Sequence, residues 1–108
     1  MVSQKIQAIV RELRNGLDAE YGSRLKALTL FGSHARNQAI EGSDIDVALI
    51  LDDFSSGGAE LSALSSLVAK LSLEHGCVIS VVPIRERDWR HSRTPLLMNI
   101  RREGVSVA

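Results

Sequence analysis

Hydrophobic residues recur at two different periods along the chain, and the change of period separates its helices from its strands. Apolar residues at helical spacing predict a first helix between Ser3, a candidate N-cap, and Gly22, a candidate stop. A second stripe predicts a helix that ends at Gly76. Thr94-Pro95 is typical of the cap and first turn of a last short helix, which we expect to end at Gly104. The stripes consist of Ile6, Ile9, Val10, Leu13 and Leu17, then Leu61, Leu64, Leu67, Val68 and Leu71, then Leu97 and Ile100.

Short apolar runs without helical spacing predict the strands. They cover Leu25–Phe31, Asp44–Leu51 and Cys77–Val82, the last closed by Pro83, and Val105–Val107 is a candidate edge strand. A long helix between the second and third strands fits a right-handed parallel crossover, whereas the helix-free link between the first two favours antiparallel pairing. The order predicts an α/β fold, a small mixed β-sheet with flanking helices on one face.

The composition is that of an ordinary globular protein. The 108 residues predict a single domain that spans residues 1–108. Thirteen Lys plus Arg balance thirteen Asp plus Glu, so we expect no direct nucleic-acid binding and no attraction to an anionic membrane. Cys77 is the only cysteine, which excludes an intramolecular disulfide. The N-terminal residues lack the apolar core of a signal peptide, and no apolar run approaches the ~20 residues of a membrane span, so we expect a cytoplasmic protein.

Two carboxylates stand at the start of the second predicted strand. Asp44 and Asp46 are two residues apart, so both side chains leave the same face of the sheet. Their mutual repulsion favours a cation between them. Oxygen ligands suit Mg²⁺, which also shares the phosphate oxygens of a substrate. With a triphosphate, the pair predicts a two-metal site whose ions lie about 3.5–4 Å apart.

Gly32-Ser33 follows the first predicted strand, and antiparallel pairing should bring it beside Asp44. Gly32 lets a phosphate approach the backbone, and Ser33 offers an N–H and a hydroxyl. If Ser33 to Arg36 opens a short helix, its N-terminus adds partial positive charge. Arg36 adds a planar guanidinium suited to phosphate oxygens, and Ser43 either orients Asp44 or caps the turn before it. The predicted nucleotide-binding residues are therefore Gly32, Ser33, Arg36 and Ser43.

The segment LFGSHARNQAIEGSDIDVALI carries both motifs in register. It resembles the signature of the DNA-polymerase-β-like nucleotidyltransferase superfamily, in which Gly-Ser is followed, after ten residues, by Asp-x-Asp. More narrowly, GSHAR with SDIDVALI is similar to the minimal nucleotidyltransferases, small proteins commonly encoded beside a helical HEPN partner. The close match spans residues 31–51, and the order of elements fits the family from Leu25 to Val82.

The resemblance implies a polymerase-β-like palm fold and a Mg²⁺-dependent transfer of a nucleoside monophosphate to an acceptor hydroxyl, with release of pyrophosphate. ATP or another NTP is the implied substrate, and AMP is the implied group. By position in the motif, Ser33 would contact the β- and γ-phosphates, and Asp44 and Asp46 would hold the metals as the catalytic residues. The implied partner is a HEPN toxin that the domain modifies as an antitoxin; a homo-oligomer is the other expectation.

Two positions depart from the family pattern. Asn37 stands where the family usually has Gly, and Asn tolerates left-handed backbone. Ser80 stands on the third strand where the family has a third carboxylate, which ligates the catalytic metal and helps to deprotonate the attacking hydroxyl. Serine is no base at neutral pH. Glu86 or Asp88 would supply the missing charge if the turn after this strand folds back.

Ser80 leaves a second function class open. In this second hypothesis, the chain is a non-catalytic nucleotide-binding or partner-binding subunit that has lost nucleotidyl transfer activity together with its third carboxylate. A third hypothesis is a small-molecule nucleotidyltransferase, such as an antibiotic-modifying half-enzyme. Labelled transfer from ATP to a partner separates the first two hypotheses, and acceptor screening identifies the third.

The remaining polar residues have simpler interpretations. His34 is a solvated loop residue or a ligand, whereas His75 and His91 are expected at the surface without partners. Asp52-Asp53 should form a turn. Trp89 lies in an arginine-rich stretch whose composition is typical of an interface with a partner or a second copy. The arginines are Arg85, Arg87, Arg90, Arg93, Arg101 and Arg102.

Overall fold

A mixed sheet of four strands lies at the centre of the molecule. The computed structural model describes residues 2–36, 38–40 and 42–107. The strands lie in the order β3-β2-β1-β4; β1 pairs antiparallel with both β2 and β4, and β2 pairs parallel with β3. The mixed sheet and both predicted pairings of β2 are confirmed. The strands are β1 (Leu25–Phe31), β2 (Ile45–Leu51), β3 (Ile79–Arg85) and β4 (Val105–Ser106).

Four α-helices cover this sheet within the described residues. They are α1 (Gln4–Tyr21), α2 (Gly57–His75), α3 (Glu86–His91) and α4 (Pro95–Glu103). A 3₁₀ turn, Gly22–Arg24, joins α1 to β1. Helix α3 was not predicted as a separate element, because six residues are too few to show a helical period. Neither long helix, nor any other helix of the described residues, is long and apolar enough to cross a membrane.

The predicted helix ends are confirmed by their hydrogen bonds. The Ser3 hydroxyl accepts from the Ile6 N–H at 3.2 Å, and the Thr94 hydroxyl accepts from the Leu97 N–H at 3.4 Å. Gly76 ends α2 in the left-handed conformation, with φ at 61°. Helix α2 begins at Gly57, and the hydroxyl of Ser56 caps it by accepting from the Ala59 N–H.

The sheet is covered on both faces, so the prediction of helices on one face was wrong. Alternate residues of β2, from Ile45 to Leu51, pack against α1 and α2. Ala48 and Ile50 point the other way and pack with residues of α4 and with Trp89 of α3. β2 is apolar at consecutive positions from Val47 onward, which is typical of a strand buried on both faces. The short C-terminal helices therefore complete a second hydrophobic layer.

Three details of the predicted elements were wrong. β3 begins after Cys77, which is half-buried, and continues through Pro83 to Arg85. Proline fits there because β3 is an edge strand, where a missing N–H need not remove a ladder hydrogen bond. Leu61, assigned to the buried stripe of α2, is 42% exposed because it lies in the first turns of that helix, beyond the packed stretch around Leu64.

Candidate functional site

The acidic pair lies where β2 begins. Asp44 directly precedes the strand and is exposed, and Asp46 is its second residue and is partly buried. The alternation of strand side chains puts both on the face that Ala48 and Ile50 share, which α3 and α4 cover. The carboxylates therefore form the polar end of an otherwise apolar face.

Gly32 lies directly against the carboxylate of Asp46. The register of β1 and β2 pairs Phe31 with Asp46, so the residue that follows β1 meets the acid. Gly32 has φ at 75°, and a β-carbon on it would collide with Oδ2 of Asp46. Both the backbone conformation and the space require glycine here. Antiparallel pairing thus brings the Gly-Ser turn and the acids together.

The electrostatics of Asp46 favour a bound cation. Burial raises the pKa of the Asp46 carboxyl above its ordinary value, and the charge of Asp44 raises it further; His34 and Arg36 lower it in part. Two neighbouring carboxylates that are both ionised disfavour the folded state unless a cation compensates them. An all-oxygen donor set at the edge of a sheet fits Mg²⁺, which completes its shell with water and phosphate oxygens. Asp44 and Asp46 are the residues that would hold it.

Residues Ser33 to Arg36 form a turn, so the condition for a helix N-terminus at Ser33 is not met. The Arg36 N–H donates to the Gly32 carbonyl at 3.1 Å, and the Gln38 N–H donates to the Ser33 carbonyl at 2.9 Å. The first bond spans four residues, as in an α-helix, and the second spans five, so the helical hydrogen-bond pattern does not continue. The Asn37 substitution lies outside the described residues. Ser33 is partly buried and directly follows Gly32, which contacts Asp46.

Ser43 caps the turn that precedes Asp44, one of its two predicted roles. Its hydroxyl accepts from the Ile40 N–H at 3.0 Å, and its own N–H donates to the Ile40 carbonyl at 3.0 Å. Gly42 takes φ at 87° in this turn. His34 is partly buried, and its Nε2 lies 3.3 Å from the Ser43 carbonyl oxygen. His34 therefore joins the two ends of the loop, and a contact of Ser43 with nucleotide stays a prediction.

Arg36 connects this turn to helix α4. Its Nε donates to Oε1 of Gln38 at 3.1 Å, and its Nη1 donates to Oε2 of Glu103 at 3.4 Å. The guanidinium is near enough to Asp46 to lower the pKa of that carboxyl. Sequence analysis missed Glu103, because 67 residues separate it from Arg36 and no local pattern links them.

Ser80 is the direct neighbour of Asp46. The parallel register of β2 and β3 pairs the two residues, and alternation puts them on the same face. Glu86 follows the opposite end of β3, six residues and roughly 20 Å further along the strand. It pairs with Arg90 at 3.2 Å, and Asp88 lies 3.9 Å from Arg85. The suggestion that Glu86 or Asp88 folds back to the site was therefore wrong.

A groove of about 700 Å³ borders the same loop. Ile40, Leu73 and Val78 line it and are 78%, 84% and 57% exposed. Its floor includes Ile9 and Ile45, which belong to the α1 and α2 side of the sheet. The loop therefore separates this apolar groove from the face that carries the carboxylates.

Two predictions about residues away from this site differ from the structure. Asp52 lies at a bend after β2 and Asp53 in irregular backbone, not in the predicted turn. Arg24 Nε donates to Oδ1 of Asp52 at 3.1 Å. Arg85 Nε lies 3.2 Å from Oδ1 of Asp53. His75 was expected to have no partner, but its Nε2 lies 2.7 Å from Oε2 of Glu12 on α1. The packing of α1 against α2 produces that pair.

The C-terminal arginine-rich stretch contains two residues with structural roles. Trp89 is half-buried against the cluster that includes Ile50 and Ile84. Arg101 donates to the backbone carbonyls of Trp89 and Ser92 and thereby ties α4 to α3. The prediction that Trp89 contacts a partner is not tested by this packing and stays a prediction. The arginines of the stretch that are exposed are Arg87, Arg90, Arg93 and Arg102.

Sequence comparison gives two matches. Residues 10–103 match the model of a family described as "Nucleotidyltransferase domain". The chain is also 34% identical over 73 residues to a protein of Methanocaldococcus jannaschii named "Putative protein adenylyltransferase". That alignment covers 68% of this chain and 67% of the relative.

Solved structures give a likeness of fold. A chain of a toxin-antitoxin crystallised with AMP-PNP is 21% identical, with a TM-score of 0.64, over 98% of this chain and 73% of that one. A chain of the complex between a tri-AMPylated Shewanella oneidensis HEPN toxin and its MNT antitoxin is 21% identical, with a TM-score of 0.58. The second match covers 96% of this chain and 69% of that one. Both confirm the predicted small mixed sheet with flanking helices.

Proposed function

This chain belongs to the nucleotidyltransferase domain family, and on that premise we propose that it transfers AMP from ATP, with Mg²⁺, to a hydroxyl group of a protein acceptor. The observation that carries the proposal is the contact of Gly32 with Asp46, which joins the Gly-Ser turn to the acidic pair. The relative named as a protein adenylyltransferase supports both AMP and a protein acceptor. The structural neighbour crystallised with AMP-PNP supports an adenine nucleotide.

Different residues of the site have different roles in the proposed reaction. The Ser33 N–H and hydroxyl, with the Arg36 guanidinium, bind the β- and γ-phosphates. Asp44 and Asp46 would hold Mg²⁺, which would offset the charge of the triphosphate and help to activate the acceptor hydroxyl. The acceptor oxygen attacks the α-phosphorus, the bond from this phosphorus to the bridging oxygen breaks, and pyrophosphate leaves. The hydroxyl proton passes to solvent, because Ser80 supplies no base beside Asp46.

A helical protein of the HEPN type is the partner and acceptor that we propose. The support is the structural neighbour in complex with a tri-AMPylated HEPN toxin. On this chain, the exposed residues Arg87, Arg90 and Arg93 offer a basic surface beside α3. Mixing the chain with the protein that the adjacent gene encodes should increase hydrodynamic size and change Trp89 fluorescence if that protein is the partner. If this chain without the added partner protein already has a hydrodynamic size above that of a monomer, it self-associates instead.

The test of transfer uses ATP labelled at the α-phosphate, Mg²⁺, and the HEPN protein with and without this chain. We expect label on the HEPN protein and one pyrophosphate released for each label incorporated. Asp46→Asn should abolish labelling, whereas Glu86→Gln, at the far end of β3, should not change it. Labelling of small hydroxyl compounds in place of protein would favour a small-molecule acceptor.

Ser80 favours one alternative function. With a serine beside Asp46 in the register of β2 and β3, the domain would bind nucleotide without transferring it. ATP binding that depends on Mg²⁺, together with no label on any acceptor and no pyrophosphate release, would support this non-catalytic subunit over the enzyme.

A further inference from the structure

The guanidinium of Arg36 is held at two of its three nitrogen atoms. Nε donates to the side chain of Gln38 at 3.1 Å, and Nη1 donates to Glu103 at 3.4 Å. Within the described residues, Nη2 makes no such contact. The two bonds fix the plane of the fork and leave one pair of N–H donors for a ligand. Arg36 lies in the turn that starts at Gly32, where its N–H donates to the Gly32 carbonyl, and Gly32 lies directly against Asp46, so this ligand would lie near the acidic pair.

Glu103 does not cancel the positive charge of Arg36, because Arg102 also faces it. Nη2 of Arg102 lies 3.6 Å from Oε1 of Glu103, and the same nitrogen donates to the side chain of Asn99 at 2.9 Å. The three side chains of Arg36, Glu103 and Arg102 carry two positive charges and one negative charge. The group keeps a net positive charge next to the turn that we assign to phosphate.

The position of Glu103 is set by the packing of the end of α4. A β-carbon on Gly104 would collide with Cγ2 of Thr29 and with the Ile100 carbonyl, so the chain passes very close to β1. Val105 then pairs with Leu30 in the sheet. Leu30 is two residues before Gly32, and Glu103 is two residues before Val105. The carboxylate is therefore anchored to the same strand that carries the Gly-Ser turn.

We propose that Glu103 is a positioning residue for the nucleotide: it holds Arg36 so that Nη2 meets the β- or γ-phosphate of the bound triphosphate. The inference rests on the proposed function, which assigns Arg36 to phosphate. An arginine fixed before binding loses less side-chain freedom when the ligand arrives, and immobilising one such side chain changes affinity by about three- to tenfold. Removal of Glu103 should therefore weaken ATP binding, although the carboxylate itself is negative.

The test is calorimetric titration of the purified chain with ATP, and with AMP, in the presence of Mg²⁺. Glu103→Gln should weaken ATP binding about three- to tenfold and leave AMP binding unchanged, because AMP lacks the two outer phosphates. Arg36→Gln should weaken ATP binding more than Glu103→Gln does. The double variant, with Arg36→Gln and Glu103→Gln together, should bind ATP no more weakly than Arg36→Gln alone. The matched control is Glu86→Gln, which breaks another Arg–Glu pair whose glutamate is similarly exposed, 31% against 32%, and should change neither affinity.

Three results would overturn the inference, and a second variant covers the case in which the first does not fold. ATP binding by Glu103→Gln that equals or exceeds that of the parent would show that Glu103 is passive or competes with phosphate. An equal loss for ATP and AMP would indicate a general structural role. If Glu103→Gln fails to fold by circular dichroism, Gln38→Ala, at the exposed second anchor, should show the same ATP-selective weakening, and its absence counts against the proposal. A parent chain that does not bind ATP would refute the proposed function, and the inference with it.

Discussion

The carboxylate of Asp46 occupies the space that a side chain on Gly32 would need. A β-carbon at position 32 would collide with Oδ2 of that carboxylate. The contact exists because Phe31, the last residue of β1, pairs with Asp46 across the antiparallel ladder. With φ at 75°, Gly32 turns the chain back over the acid at once. The Gly-Ser turn and Asp46 are therefore packed together, and a change in either should disturb the other.

Gly32→Ala should weaken Mg²⁺-dependent ATP binding at least about tenfold, because the new methyl group must displace the Asp46 carboxylate. A tenfold loss of affinity corresponds to about 1.4 kcal/mol of binding free energy. Independently of binding, an alanine in this left-handed backbone conformation should lower the free energy of unfolding by ~1–2 kcal/mol. Calorimetry and urea unfolding measure the two effects. Gly22→Ala, with φ at 55° and open space around it, should destabilise without affecting ATP. Unchanged affinity in Gly32→Ala would contradict the packing argument.

Asp46→Asn should abolish the gain in ATP affinity that Mg²⁺ provides and leave the fold intact. Burial and the charge of Asp44 both disfavour an ionised carboxylate at this position, so removal of the charge should not lower the free energy of unfolding. Titrations with and without Mg²⁺ measure the gain. The control is Asp53→Asn, an exposed acid beyond the other end of β2. If the mutant keeps its Mg²⁺-dependent affinity, the metal site lies elsewhere.

Ser80→Asp should raise the rate of AMP transfer, or create it, while changing ATP affinity little. The substitution puts a carboxylate directly beside Asp46, where it would add a metal ligand and a base for the acceptor hydroxyl. General-base assistance contributes about 10²–10⁴-fold, which sets the expected gain. Initial rates of label transfer at saturating ATP measure it.

Glu86→Gln and Asp88→Asn are the controls for Ser80→Asp and should be silent, since both acids follow the far end of β3. A Ser80→Asp variant no faster than the parent, with both controls silent, would favour the non-catalytic subunit. A parent that already transfers AMP rapidly would show that the third carboxylate is dispensable here.

Tyr21→Phe should remove a pH dependence of stability at high pH. The Tyr21 hydroxyl is buried and has no hydrogen-bond partner among the described residues. Burial first, then the charge of Glu60, raises its pKa from 10.0 to about 12. The folded state thus holds the proton more tightly than the unfolded state, and the resulting stability is full below pH 10 and is lost as the pH rises towards 12.

Urea unfolding of both proteins from pH 7 to 12 measures this effect. At pH 7 the Phe variant should be as stable as the parent or about 1 kcal/mol more stable, because an unsatisfied buried hydroxyl is removed. Above pH 10 the parent should lose stability relative to the variant. A difference that stays constant across this range would show that the Tyr21 hydroxyl titrates alike in both states.

The sequence determined the local features of this protein. Helix ends were predictable at Ser3, Gly76 and Thr94 because a cap depends on hydrogen bonds within three or four residues. The Gly-Ser and Asp-x-Asp motifs were sufficient to identify the family, and the family match confirms that identification. Strand β2 was predictable from its apolar run. That the 108 residues form one domain stays a prediction.

Only the tertiary structure decided which distant residues meet. The one-residue register that puts Gly32 against Asp46, and Ser80 beside it, depends on strand pairing and not on any local pattern. The pairing of Arg36 with Glu103 spans 67 residues and follows from the close passage of α4 over β1. The placement of α4 on the second face could not be predicted, because the apolar pattern of a strand does not specify which element covers each of its faces. Such contacts arise from the packing of whole elements, whose energy is shared among many residues far apart in the chain.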